Sequence, residues 1–164
     1  MKTAFSRLFL VMLTTILLSA CTSNEIYRSN FSNGIVTAQE SCESHAIQLH
    51  NKGTEREYLL GFVEIDDQGQ LRNRVQMQAL LNELYTLASK ESLLINVFVH
   101  GWHHNAKQGD ANVESFKLNL AELSKVESHL HQDRTPRKVV GIYVGWRGES
   151  IDIPWINNVT FWDR

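Results

Sequence analysis

Residues Leu93–Val99 read LLINVFV, an apolar run broken only by Asn96, and the run ends abruptly at His100-Gly101-Trp102 before a polar stretch. Such a run, rich in β-branched side chains, fits a strand buried on both faces of a parallel sheet. A strand of that kind constrains the rest of the chain, because parallel neighbours are reached only through crossover connections.

The flanking segments supply those connections. Tyr58–Ile65 (YLLGFVEI) reads as another strand, and Asp66-Asp67-Gln68-Gly69 reads as a turn, since Asp and Gly favour turn geometry. Over Arg74–Ala88, residues Val75, Met77, Leu80, Leu81, Leu84, Leu87 and Ala88 make a broad apolar stripe on a helix. Ser89 to Ser92 breaks it before the LLINVFV strand. A polar loop runs from His103 to Asp110, where Asp110 or Asn112 can cap a second helix carrying Val113, Phe116, Leu120, Leu123 and Leu130, with Val126 beside them. After the Gln132–Arg137 loop, VVGIYVG (Val139–Gly145) reads as a third buried strand, ending in Trp146-Arg147-Gly148. The order βαβαβ predicts an α/β fold of three layers around a mainly parallel sheet with right-handed crossovers.

The 164 residues are 43% hydrophobic and 21% charged with net charge −2, which fits one globular domain. There is no basic stripe, so nucleic acid is not an expected partner.

The N-terminus reads as a leader. Lys2 and Arg7 precede an apolar stretch, Leu8 to Leu18, too short to span a bilayer as a helix. Leu18-Ser19-Ala20-Cys21 resembles the bacterial lipobox, which implies cleavage before Cys21 and lipid on its thiol. Thr22 in place of Asp then points to the outer membrane, facing the periplasm. Loss of Lys2 and Arg7 takes the 16 basic residues to 14 against 18 acidic, a mature net charge of −4. Cys42 is left as a free thiol in a loop, with no Cys-His signature near it. The expected division is a leader over 1–20, a polar tether and N-terminal segment over 21–52 with one short strand around Gly34–Thr37, and a folded domain over 53–164.

A strand stopping at His-Gly resembles the third strand of the α/β-hydrolase superfamily, whose lipases and esterases use the next backbone N–H as half of an oxyanion hole. The resemblance assigns that N–H to Trp102, with Gly101 allowing the sharp turn and His100 orienting it. Gly145-Trp146-Arg147-Gly148 resembles the segment closing the fourth strand in lipase-like members, and places Trp146 and Arg147 on the substrate side. Glu64 to Gly69, the F-V-H-G-W and Y-V-G-W-R-G segments, and Thr160-Phe161-Trp162-Asp163-Arg164 are together similar to a group of bacterial hydrolase-like lipoproteins. The resemblance covers Tyr58 to Arg164.

The same resemblance calls for a G-x-S-x-G nucleophile elbow followed by an acid and a histidine, and these 164 residues contain no G-x-S-x-G. The chain therefore resembles the front half of an α/β-hydrolase fold. Within it, Ser150 reads as a loop serine, because no strand-to-helix elbow surrounds it. His100, His103 and His104 lack a further ligand group at metal spacing, so neither a metal nor a cofactor is expected, and a metal-dependent hydrolase built on these three would require bound zinc in the purified protein. Trp146, Trp155 and Trp162 are irregularly spaced and read as core or cover. By its residues alone, Arg147 reads first as a partner for a neighbouring carboxylate such as Glu149 or Asp152. Two functions stay open. One is the N-terminal portion of a lipid-anchored serine hydrolase acting on esters, inactive as this chain. The other is a non-catalytic envelope lipoprotein that uses the half-domain for interactions. In both, the membrane is a partner through Cys21, and a protein covering an open strand edge at Val139–Val144 is expected.

Overall fold

A computed structural model describes residues 26–32, 34–38, 44–66, 68–101, 104–130 and 135–146. The elements in chain order are β1 (Val36–Thr37), β2 (Ile47–His50), β3 (Tyr58–Glu64), α1 (Arg74–Ala88), β4 (Leu93–Val99), α2 (Ala111–Leu130) and β5 (Lys138–Gly145). The strands form one sheet in the order β1-β2-β3-β5-β4. β1 runs parallel to β2, β2 antiparallel to β3, and β3, β5 and β4 parallel to one another. The chain is an α/β protein with a mixed, mostly parallel sheet between two helices.

Each helix is seated on one face through a strand glycine. A Cβ on Gly61 would collide with the Leu80 side chain of α1, and one on Gly141 would collide with Leu120 of α2. α1 thus closes a core of Ile47, Leu59, Val63, Leu80, Leu84 and Val140. α2 closes the opposite core around Leu60, Phe62, Val113, Phe116, Leu120 and Tyr143. The step from β3 to β4 passes β5 on the α1 face, and the return from β4 to β5 uses the α2 face. Opposite faces for opposite directions are what right-handed crossovers require.

β4 departs from the expectation of burial on both faces. It is the last described strand of the sheet, paired only with β5. Leu94 and Phe98 pack under α2, while Ile95, Val97 and Val99 are exposed on the other face. The core under α1 reaches only Leu93 of β4, so Ile95, Val97 and Val99 stay uncovered among the described residues. The open edge expected at Val139–Val144 is corrected by the same topology: β5 is central, hydrogen-bonded to β3 on one side and β4 on the other.

The N-terminal segment also differs from a tether. β1 and β2 belong to the sheet, Ala46 and Ile47 are fully buried, and the compact unit runs from Ile26 to Gly148. The leader, Cys21 and Cys42 lie outside the described residues.

The helix faces are rotated from the apolar stripes. Asn73 caps α1 by accepting from Val75 N and Gln76 N at 2.8 and 3.2 Å. Its buried line is Gln76, Leu80 and Leu84, and Val75 is exposed. In α2 the buried line ends in Ser124 and Glu127, and Leu130 is exposed. Those polar groups serve the sheet's far edge: Ser124 Oγ donates to the Glu57 carbonyl, and Glu127 accepts a two-pronged pair from Arg137 at 2.8 Å each.

Candidate functional site

In a parallel sheet, ligands gather at the carboxyl ends of the strands, where successive connections leave to opposite faces. Here β3 leads to α1 on one face and β4 leads to α2 on the other, with β5 between them. The edge so defined comprises Glu64, His100, Gly101, Gly145 and Trp146.

His100 is 3% exposed and sits where β4 stops. Its Nε2 accepts the Trp146 backbone N–H at 2.8 Å. Nε2 must then be the bare nitrogen, so Nδ1 carries the hydrogen and donates to the Gly101 carbonyl at 2.8 Å. The Trp146 indole Nε1–H donates to the His100 carbonyl at 2.9 Å. The two rings stack with centroids 5.5 Å apart and planes within 2°, and the imidazole also stacks on Tyr143. With both ring nitrogens engaged, His100 is a pin between the ends of β4 and β5, not a general base.

Gly101 is exposed, a Cβ there would meet nothing within 4 Å, and its φ is not in the left-handed region. Among the described residues, nothing therefore requires a glycine at this position. Trp102 and Arg147, the residues expected to supply the oxyanion N–H and a substrate contact, lie outside the described residues, as do His103 and Ser150.

A buried polar cluster underlies this edge, in which Glu64, the first residue of the Glu64–Gly69 segment, is joined by Arg28 and Gln76. Glu64, 3% exposed, accepts the Tyr27 and Arg28 backbone N–H groups at 3.0 and 2.8 Å. Gln76 accepts from the Glu64 N–H at 3.0 Å and donates to the Arg28 carbonyl at 2.8 Å. The Arg28 guanidinium lies 4.1 Å over the Phe62 ring and donates through Nε to the Ala106 carbonyl at 2.8 Å. Arg28 sits in a polar stretch with no periodic pattern, and Gln76 breaks an apolar stripe, so neither stands out until the fold brings them together.

The loop after the turn is held by Asp110. Its carboxylate caps α2 by accepting from Asn112 N at 2.8 Å, and it accepts from Asn105 N at 3.2 Å. His104 Nδ1 is 3.2 Å from the same carboxylate. Gly145 lets this loop approach, since a Cβ there would lie 2.7 Å from the Ala106 Cβ. The Tyr143 hydroxyl donates to the Asn105 carbonyl at 3.2 Å, and burial, followed by the Asp110 charge, pushes its pKa up. Tyr143 therefore stays a hydrogen-bond donor throughout the physiological range.

Among the described residues no three His, Cys, Asp or Glu side chains are grouped to hold a metal ion, and no helix is long and apolar enough to cross a membrane. No family model, curated protein or solved structure matches this chain.

Proposed function

We propose that this chain carries the oxyanion turn of a lipid-anchored serine hydrolase of the α/β-hydrolase type, acting on esters, and that the nucleophile comes from outside these residues. The observation that carries the reading is the pinned strand end: His100 and Gly101 close β4 at the carboxyl edge of parallel strands, locked to Trp146 at the end of β5. A rigid turn is what oxyanion stabilisation needs, because a donor aimed in advance costs no reorganisation as charge develops. In this reading the Trp102 N–H faces the developing oxyanion, a serine attacks the carbonyl carbon, and a histidine takes the serine's proton. The tetrahedral intermediate then collapses, expelling the alcohol and leaving an acyl-enzyme. Arg147 and Trp146 border the substrate, and Cys21 carries the acyl anchor that holds the protein at the outer membrane, facing the periplasm.

His100 is excluded as the base by its two committed nitrogens, and these residues hold no G-x-S-x-G. The purified 164-residue chain should therefore neither turn over a chromogenic short-chain ester nor take up a fluorophosphonate. A stoichiometric fluorophosphonate adduct on a serine of this chain, Ser150 included, would overturn the proposal.

A further inference from the structure

β4 has β5 on one side and no strand on the other among the described residues. The Lys138 N–H donates to the Ser92 carbonyl, so the even-numbered residues of β4 turn their main-chain groups toward β5, while Leu93, Ile95, Val97 and Val99 turn theirs outward. Ile95, Val97 and Val99 are also 48%, 57% and 59% exposed on the α1 face. We propose that this edge pairs antiparallel with β4 of a second copy of the chain, about a twofold axis at Asn96.

Three observations point to that occupant. The first is that the edge is unguarded. Open edge strands are ordinarily blunted by a charge, a proline or a bulge, and Leu93–Val99 holds none of these. Lys138 pairs with Leu93 and stands on the α1 face, but it lies one strand in from the edge and its ammonium is tied to the Glu57 carboxylate.

The second is that the strand complements itself, which a twofold interface requires. In LLINVFV, apolar residues are balanced on either side of Asn96. Antiparallel pairing on that centre sets Leu93 against the partner's Val99 and Ile95 against the partner's Val97, and the reverse. These four are the residues whose main-chain groups point outward, so their pairs exchange about eight hydrogen bonds. Their side chains share the α1 face, where apolar cross-strand pairs stabilise a sheet. A centre at Ile95 would instead set Val99 against the partner's Glu91, and a centre at Val97 would set Leu93 against the partner's Gly101.

The third is Asn96 itself. It is half-buried on the α2 face with Leu94 and Phe98, and its amide has no hydrogen-bond partner among the described residues. In this register it faces the partner's Asn96 as a non-hydrogen-bonded pair, with Cα atoms about 4.5 Å apart, close enough for the two amides to bond each other. A polar pair at the centre of an apolar strand holds the register, because any slip leaves both amides against apolar side chains.

The test uses the full chain with Cys21→Ser and Cys42→Ser, so that an introduced cysteine is its sole thiol. In the proposed register Asn96→Cys meets its own copy at a spacing that a disulfide spans, whereas Val97→Cys stands more than about 7 Å from its copy, beyond that reach. Random collision would favour position 97, the more exposed of the two. Under mild oxidation Asn96→Cys should nevertheless form a covalent dimer at least about tenfold faster than Val97→Cys. Val97→Pro removes an outward N–H that a single copy does not use, so adding it to Asn96→Cys should slow the cross-link about tenfold while cooperative urea unfolding is kept. Equal rates at positions 96 and 97 would overturn the proposal, and this comparison stands whether or not the proline variant folds. So would the absence of any dimer, which would leave the edge to a different partner, or an undiminished cross-link in a folded proline variant.

Discussion

His100 and Trp146 hold each other twice, with the Trp146 main-chain N–H on the imidazole Nε2 at 2.8 Å and the indole N–H on the His100 carbonyl at 2.9 Å. The two residues are 46 positions apart, and each stands at the carboxyl end of its strand. Removing the imidazole leaves a part-buried N–H without its acceptor and deletes two ring contacts. His100→Ala should cost about 2–3 kcal/mol, and Trp146→Phe, which loses the indole N–H bond and part of the ring stacked on the imidazole, about 1 kcal/mol. Urea unfolding of both variants checks the order. A His100→Ala loss no larger than that of Trp146→Phe would mean that the imidazole is not the pin.

Glu64 ties the segment around Tyr27 and Arg28 to the end of β3. Glu64→Ala strands those two backbone donors and takes a partner from Gln76, with an expected loss of about 2–4 kcal/mol. The effect should be local first. Hydrogen exchange at the Tyr27 and Arg28 amides should accelerate more than at the β5 amides; uniform acceleration would show that Glu64 has no specific hold on this segment.

Stability should fall on mild acidification. The His50 pKa is pushed down to about 4, first by burial and then by the Lys117 charge, with Arg28 adding and Glu114 opposing. The folded protein therefore keeps this ring unprotonated while the unfolded chain takes up a proton near pH 6.5. The contribution is fully present above pH 6.5 and is lost as pH falls toward 4, with a slope of at most about 1.4 kcal/mol per pH unit for one proton. Burial lowers the His45 pKa in the same direction. His50→Phe keeps a ring against Tyr58 and should flatten the dependence of the urea midpoint between pH 7.5 and pH 5 without abolishing it. An unchanged slope would show that His50 is not a source of the proton uptake.

The glycine seats predict that Gly61→Ala and Gly141→Ala each cost about 1–3 kcal/mol, because the added methyl meets a leucine locked in a packed core. Making room should recover part of the loss. Gly141→Ala combined with Leu120→Ala should lose less than the sum of the two single changes, as read from a double-mutant cycle. Simple additivity would place the two residues out of contact.

Much of the frame was legible in the sequence because it is carried by local periodicity. The runs at Tyr58, Leu93 and Val139 became strands, and the two amphipathic stretches became helices within a residue or two. β2 escaped because IQLH is short and sits among polar residues, and its strand state comes from pairing with β3. Burial of β4 was misjudged for a related reason. Ile95, Val97 and Val99 are as apolar as a two-sided core strand demands, but which faces are covered depends on where α1 lands, and the seat at Gly61 lies two strands away. The site was half legible. Sequence placed His100 and Trp146 at strand ends, while their mutual hold requires β5 to lie beside β4, which no local pattern states. Arg28, Glu64 and Gln76 matter only through contacts that the fold creates.

The central claim is that an oxyanion turn in this chain serves a serine supplied from outside these residues. The most direct measurement is fluorophosphonate treatment of the native protein extracted from membranes, followed by its intact mass and the mapping of the adduct. The expected result is one adduct, on a serine outside the 164 residues, in a species heavier than the 18.8 kDa of this chain. A native species no heavier than this chain, apart from its lipid, that takes up no adduct would contradict it.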